Sequence, residues 1–292
     1  MRLITRLDFD GVVSTAMIKK METIHEIAFA NPKEVEERMI DIDFGDAIAH
    51  LPFHPDAKLW FHNHDISGIN PTLLQGVRGK FGKAPSTARL VYEHYNSPDL
   101  AYFESIVGLV DRIGTANLSE VHIMNPKGWM LVSYTLDPRF VAEYSYGMLL
   151  IESLIAGKTA EEVLAHPDVQ KRVERYHRDE EKYAEALKQN TKLLGNVIVT
   201  DFRDLKDSPH GNRFSVFTYY PEGNVHIRVD TLDIMRVKMS VSKSVLNRTC
   251  KVDVGQLMSD FGGGGIEGAG TCLLGKRTAD DRIAQIIERL KG

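Results

Sequence analysis

Residues 3–11 read Leu-Ile-Thr-Arg-Leu-Asp-Phe-Asp-Gly, a short apolar run followed by two aspartates and a glycine. The run 3–7 is typical of a buried strand, and apolar residues at helical spacing over 12–29 predict a helix after it. The two-residue spacing places Asp8 and Asp10 on one side of an extended segment. The chain is therefore predicted to open with a strand, a loop that carries two carboxylates, and a helix.

The same alternation continues through the first half of the chain. Residues 36–43 and 57–61 are predicted as further strands, and residues 86–96 and 99–113 as helices that follow Pro85 and Pro98. Strands that alternate with helices favour an α/β fold with a parallel sheet and helices on both faces. In such sheets, ligands bind at the carboxyl ends of the strands.

The second half of the chain has a different pattern. Residues 140–193 are highly charged and predicted to be helical, as in a solvated spacer helix. The later predicted elements are strands at 196–200, 214–220, 225–229 and 237–241 and a closing helix at 278–290. Two domains are therefore expected, residues 1–192 and a smaller α/β domain at 193–292.

The composition limits the class of protein. The chain has 292 residues, 43% hydrophobic and 26% charged, with a net charge of −4. No overall basic field favours nucleic acid, although a local basic groove stays open. The two cysteines, Cys250 and Cys272, are too few for a disulfide framework, and no apolar run approaches 18 residues. A cytoplasmic protein with no membrane span is expected, and a homodimer is plausible.

Carboxylates and histidines that suit a hard divalent cation occur in four places. They are Asp8 with Asp10, the run from Asp46 to His50, the run His62-Asn63-His64-Asp65, and Asp111. Each has an alternative: the aspartates could cap the next helix, the histidines could be structural, and Asp111 could pair with a base such as Arg112. Because several clusters follow strands, one shared site is favoured over separate coincidences.

A glycine run in the second half predicts an anion site. Four consecutive glycines allow backbone N–H groups to converge on an anion without hindrance from Cβ atoms. The candidate ligand-binding residues are Gly262, Gly263, Gly264, Gly265, Lys243, Asn247, Arg248, Arg213 and Arg228. The alternative is a flexible loop without a ligand.

Together these motifs resemble the DHH phosphoesterase superfamily, in particular its exopolyphosphatase-like two-domain members. Residues 7–12 are similar to its Asp-x-Asp-Gly motif, residues 59–67 to the strand before its Asp-His-His-x-Ser motif, and residues 84–92 to the helix that follows. Asp111 matches its fourth motif. Residues 242–249 and the glycine run resemble its associated C-terminal substrate domain.

This resemblance implies a phosphoesterase with two Mn²⁺ or Mg²⁺ ions that acts in a cleft between two domains. The implied substrates are polyphosphate or short oligonucleotides, and more generally a phosphorylated small molecule. The implied catalytic residues are Asp10 and His64. The implied metal ligands are Asp8, Asp10, Asp46, His50, His62, His64, Asp65 and Asp111, and the glycine run with its neighbouring basic residues would hold the substrate.

The chain departs from the superfamily pattern at several positions. Arg6 replaces a histidine, the triplet is Asn63-His64-Asp65 or His62-Asn63-His64, His50 stands where relatives more often have Asn, and Ile266 replaces the histidine after the glycine run. A guanidinium cannot ligate a metal. The alternative functions are a catalytically impaired member that binds a phosphorylated ligand or nucleic acid, and an RNA-binding module.

Overall fold

The computed structural model describes residues 1–136 and 143–291. The chain divides into two compact units, residues 1–117 with 127–173 and residues 118–126 with 174–292. The division at 173/174 lies within the long helix Pro167–Asn190, upstream of the expected boundary at 192/193. The later part of this helix belongs to the second unit because Tyr183 is buried there against Phe202, with ring centroids 6.2 Å apart.

The first unit contains a parallel sheet, as predicted. Its strands are β1 (Arg2–Thr5), β2 (Glu26–Phe29), β3 (Ala47–Ala49), β4 (Leu59–His62) and β5 (Arg78–Phe81). The strand order is β2-β1-β3-β4-β5, and all neighbours run parallel. Parallel strands end at the same edge, so the loops after β1, β3 and β4 meet there.

Helices connect these strands and extend the chain. They are α1 (Phe9–Met21), α2 (Pro32–Glu36), α3 (Thr87–Tyr95), α4 (Glu104–Gly114), α5 (Glu120–Met124), α6 (Gly128–Thr135), α7 (Tyr144–Ile155), α8 (Ala160–Leu164) and α9 (Pro167–Asn190). Helix α5 belongs to the second unit. No helix within residues 1–136 and 143–291 is both long and apolar enough to cross a membrane.

The central strands β1, β3 and β4 are buried on both faces, which confirms the predicted fold class. Along β4, Leu59 and Phe61 join the core formed with α1, α3, α4 and α7, whereas Trp60 joins a second core with Val35 of α2. This alternation follows from the two-residue period of a strand. The first face is covered mainly by helices, and the second by α2 and connecting segments.

Two local predictions were wrong in the first unit. The helix predicted over 12–29 ends at Met21, and Glu26–Phe29 pairs with β1 as strand β2. Residues 37–46 are irregular, and the strand expected at 36–43 is instead Ala47–Ala49. A three-residue strand shows no readable alternation, and its pairing between β1 and β4 decides its conformation.

The second unit contains a mixed sheet. Its strands are β6 (Thr191–Leu194), β7 (Val197–Asp201), β8 (Val225–Thr231), β9 (Arg236–Lys243), β10 (Gly264–Ile266) and β11 (Ala269–Gly275), in the order β10-β11-β9-β8-β7-β6. Its further helices are α10 (Val216–Tyr219), α11 (Val254–Asp260) and α12 (Ala279–Leu290). The strand predicted at 214–220 was wrong, because this segment contains α10, where the successive residues Val216 and Phe217 are both buried.

Candidate functional site

The candidate site lies at the carboxyl edge of the parallel sheet. Asp8 and Asp10 follow β1, His50 follows β3 directly, and His62 and His64 lie at and beyond the end of β4. Because β1, β3 and β4 are neighbours, these side chains are brought to one edge. A cavity of about 270 Å³ opens there, and its lining includes Arg6, His50, His62 and His64.

The two aspartates are held by helix N-termini. Asp8 caps α1 and accepts a 2.9 Å hydrogen bond from the Gly11 amide, so the capping alternative holds for this residue. Asp10 accepts hydrogen bonds from the first amides of α3, those of Thr87 at 2.8 Å and Ala88 at 2.7 Å. Gly11 is required in this turn, because a Cβ atom there would lie 2.0 Å from the Arg6 carbonyl oxygen. A local hydrogen bond thus orients Asp8, whereas Asp10 is oriented by amides 77 and 78 residues further along the chain.

His50 lies between the two aspartates. Its Nε2 is 3.3 Å from Asp8 Oδ2, and its Nδ1 is 3.4 Å from Asp10 Oδ2. The residue has a φ of +58°, a left-handed conformation that is uncommon outside glycine and often found at functional sites. The chain therefore holds this imidazole against both carboxylates at a conformational cost.

A chain of hydrogen bonds fixes the orientation of the imidazole. Asn63 Oδ1 accepts from the hydroxyl group of Thr87, and that hydroxyl oxygen lies 2.9 Å from His50 Nδ1. Since the Thr87 proton is given to Asn63, the hydrogen at this contact is carried by Nδ1 of His50. The other ring nitrogen is left facing Asp8.

The charges of this cluster are strongly coupled. Burial alone would lower the pKa of His50, but the charges of Asp8 and Asp10 outweigh it and raise the pKa to about 9. Burial also raises the pKa of Asp10, whereas for Asp8 the opposing effect of His50 and Arg6 dominates and its pKa is lowered. At neutral pH His50 is a cation between two carboxylates.

The other histidines of the cavity are neutral at neutral pH. Burial, reinforced by electrostatic repulsion from His64 and His50 on protonation, lowers the pKa of His62 to about 4. Burial and then His50 also lower the pKa of His64. His62 is stacked on Trp60, with ring centroids 5.3 Å apart, and its buried Nδ1 has no hydrogen-bond partner among the described residues. A buried polar atom of this kind calls for a ligand or a water molecule.

Arg6 lines the cavity and carries a positive charge. Its Nε lies 3.2 Å from Asp8 Oδ2, yet this buried N–H forms no hydrogen bond of good geometry within residues 1–136 and 143–291. Glu36, an exposed carboxylate, also lines the cavity. A donor that is charged, buried and poorly satisfied is suited to an anionic ligand.

Asp111 reaches the N-terminus of α3 from α4. Its Oδ2 accepts from Nε of Arg89 at 2.9 Å and from Nη2 at 2.6 Å, and its Oδ1 accepts from the Ser86 hydroxyl at 2.6 Å. The base that partners Asp111 is therefore Arg89 and not Arg112. The partner was missed in the sequence, although Arg89 could have been found as a base in the first turn of a helix after Pro85.

Two candidate ligands lie elsewhere. Asp46 precedes β3 and so lies at the amino edge of the sheet, where it forms an ion pair with Arg2 at 2.5 Å. Asp65 is exposed and pairs with Lys83 at 2.9 Å. Asp46 lies outside the site because it precedes β3, whereas His50 follows the same strand.

The donor set differs from what the two divalent ions implied by the resemblance would need. Asp8 faces Arg6 and His50, Asp10 faces His50 and two amides, and Asp111 is neutralised by Arg89. Within the described part of the chain, no three His, Cys, Asp or Glu side chains form a group that could hold a metal ion. As arranged, these residues do not fit a two-metal centre, because side-chain cations already balance the carboxylates.

The glycine run of the second unit forms no open loop in the part of the chain that the structure describes. Gly264 and Gly265 lie in β10 and pair with β11, and the amides of Gly262 and Gly263 donate to carbonyl groups of α11. A Cβ atom at Gly263 would lie 2.1 Å from the Thr271 carbonyl oxygen. These glycines therefore permit close backbone packing.

The basic residues near this run have different surroundings. Arg228 is held by Asp230, Ser208 and the Pro209 carbonyl group, so its charge is already used inside the fold. Lys243 pairs with exposed Glu267 at 3.0 Å.

Three further candidates lie nearer the surface. Arg248 is exposed, and its Nε donates to the Val245 carbonyl group. Asn247 donates to carbonyl groups of the turn at residues 221–222. Arg213 is exposed above the Phe214 ring.

Comparisons with known proteins agree with the fold. No family model matches the sequence, and none of the curated proteins compared with it is a significant match. The chain is similar to a pGpG-specific phosphodiesterase, PggH from Vibrio cholerae, at 29% identity and a TM-score of 0.83, over 99% of this chain and 98% of that one.

Two more distant structures share the fold. RecJ from Thermus thermophilus, in complex with Mn²⁺, matches at 13% identity and a TM-score of 0.56, over 98% of this chain but 51% of its own. The DHH domain of a member of a family of ribosomal proteins matches at 13% identity and a TM-score of 0.57, over 99% of this chain and 86% of its own. The chain thus shares the fold of a solved DHH domain and is similar to PggH from end to end, in agreement with the resemblance of its motifs to the DHH phosphoesterase superfamily.

Proposed function

We propose that this chain is a phosphoesterase that hydrolyses short oligonucleotides, and that a linear 5′-phosphorylated dinucleotide is its preferred class of substrate. The observation that carries the proposal is the end-to-end match with a pGpG-specific phosphodiesterase. The cavity at the carboxyl edge of the parallel sheet supports it, because Arg6 and three histidines are part of its lining. Polyphosphate has no comparable support.

The roles of the side chains follow from their charges. Arg6 binds a phosphate oxygen, because its buried Nε–H lacks a hydrogen bond within the described residues. His64 is a neutral imidazole at neutral pH, so a ring nitrogen can accept a proton from the attacking water. The water hydroxyl adds to phosphorus, the P–O3′ bond breaks, and the 3′ oxygen receives a proton, which gives two mononucleotides.

The test is hydrolysis of pGpG by the purified protein, followed by chromatography of the mononucleotides. The reaction is run with Mn²⁺, with Mg²⁺ and with EDTA, so that the metal dependence implied by the superfamily is measured together with activity. His64→Gln should lose most of the rate, and exposed His25→Gln serves as the matched control. Absence of cleavage under all three conditions would refute the proposal.

A second candidate function is binding without catalysis. It is favoured by the two ion pairs that occupy site carboxylates, Arg6 with Asp8 and Arg89 with Asp111. Calorimetric titration with pGpG separates the two functions, because a binder retains affinity while no mononucleotide is released.

A further inference from the structure

The carboxylates of the site are balanced by the protein itself. Asp8 lies 3.2 Å from Nε of Arg6, and Asp111 lies 2.6 Å from Nη2 of Arg89. Both bases are guanidinium groups, which stay charged over the whole accessible pH range and have no lone pair for a metal. A divalent cation would have to displace these groups before it could reach the carboxylates.

The hydrogen bonds of Asp111 and Asp10 make it costly for a metal ion to displace the groups that contact these carboxylates. Arg89 contacts Oδ2 of Asp111 through both Nε and Nη2, while the Ser86 hydroxyl occupies Oδ1. Asp10 has each of its oxygens hydrogen-bonded to an amide of α3. Every carboxylate oxygen of these two side chains already accepts a short hydrogen bond.

The cavity beside the pair of Arg6 and Asp8 contains two buried polar atoms that have no hydrogen-bond partner in the described part of the chain. They are Nε of Arg6 and Nδ1 of His62, and both residues line the cavity. One is a charged donor, and the neutral imidazole can donate or accept. An anion with several oxygens, such as a phosphate, satisfies both.

We propose that Arg6 and Arg89 take the electrostatic place of divalent cations at this site, so that it binds phosphate groups without a metal ion. This inference rests on the proposed function only for the class of ligand. It concerns this chain's own departures from the superfamily pattern, above all Arg6.

The first test is metal binding by the intact protein. Equimolar Mn²⁺ is added, and the free ion is followed by its electron paramagnetic resonance signal. The expected result is an undiminished signal of free Mn²⁺. Retention of one or two ions per chain would overturn the inference.

The second test is binding of inorganic pyrophosphate, measured by calorimetry in EDTA and in Mn²⁺. The expected affinities agree within the error of the measurement, and Arg6→Ala weakens binding by about 10-fold or more, as for a lost contact to a charged group. Arg6→Lys should recover part of the loss, and exposed Lys20→Ala is the control for removal of a charge. Binding that requires Mn²⁺, or equal affinities of wild type and Arg6→Ala, would overturn the inference.

These outcomes are separable from the proposed function. Pyrophosphate binding in EDTA without cleavage of pGpG keeps the inference and removes the hydrolase. Cleavage of pGpG that strictly requires Mn²⁺ keeps the hydrolase and removes the inference.

Discussion

The hydroxyl group of Thr87 connects Asn63 and His50 at the candidate site of the first unit. It donates to Asn63 Oδ1 and accepts from Nδ1 of His50, each at 2.9 Å, and Thr87 is fully buried. Thr87→Val keeps the volume but leaves Asn63 and His50 without this partner. We expect it to lower the free energy of unfolding by about 1–3 kcal/mol, the cost of unsatisfied buried polar groups.

Denaturant unfolding followed by tryptophan fluorescence measures this loss. Thr87→Ser keeps the hydroxyl group and should cost clearly less than Thr87→Val. An equal loss in both variants would show that the methyl group, and not the hydrogen-bond chain, matters at this position.

Arg248 carries the prediction for the second unit. The side chain is exposed within residues 242–249, which resemble part of a substrate domain, so its charge is accessible to a phosphate. Arg248→Ala should weaken binding of pGpG by about 1.5–3 kcal/mol, the range for a hydrogen bond to a charged group. Calorimetry of the two proteins tests this, and equal affinities would remove Arg248 from the binding site.

At the scale of elements, β5 depends on a glycine at position 79. Gly79 has a φ of +112°, and a Cβ atom there would lie 2.0 Å from the Trp60 carbonyl oxygen in β4. Gly79→Ala should therefore lower the free energy of unfolding by at least the roughly 1–3 kcal/mol that a strained backbone costs. The control is Gly68→Ala, because a Cβ atom added there meets no atom of the described residues within 4 Å. Thermal unfolding of the two variants checks the prediction, and equal melting temperatures would contradict it.

At the scale of the whole molecule, stability depends on pH through a buried histidine. Burial, aided by the Arg228 charge, lowers the pKa of His226 to about 3 from the 6.5 of an unperturbed histidine. Between these values the unfolded chain takes up a proton that the folded chain does not. The free energy of unfolding therefore falls as the pH drops from 6.5 towards 3, by about 1.4 kcal/mol per pH unit.

The test compares wild type with His226→Gln. The stability difference between the two should shrink or reverse as the pH falls from 6 to 4, and exposed His177→Gln should show no such trend relative to wild type. Circular dichroism is the suitable probe, because both tryptophans, Trp60 and Trp129, lie in the first unit whereas His226 lies in the second. Parallel pH curves of wild type and His226→Gln would contradict the prediction.

The sequence alone determined the fold class and the position of the candidate site at the strand ends of the first unit. Asp8 and Asp10 follow an apolar run, and the residues after Phe61 carry histidines, so local pattern was enough to predict strand ends of a parallel sheet. The helix at 86–96 was predicted because its residues have helical periodicity after Pro85, and the structure shows Ser86 as its N-cap. Capping and periodicity act between near neighbours, which is why they can be read from a chain.

Only the tertiary structure decided which side chains neutralise one another. Arg89 and Asp111 are 22 residues apart and meet because α3 packs on α4, and Asp10 finds its amides 77 and 78 residues away. The short strands β2 and β3 likewise exist through their pairing with β1, because four and three residues have too little local preference. Contacts between distant segments depend on packing and sheet register, and a linear sequence does not display either of them.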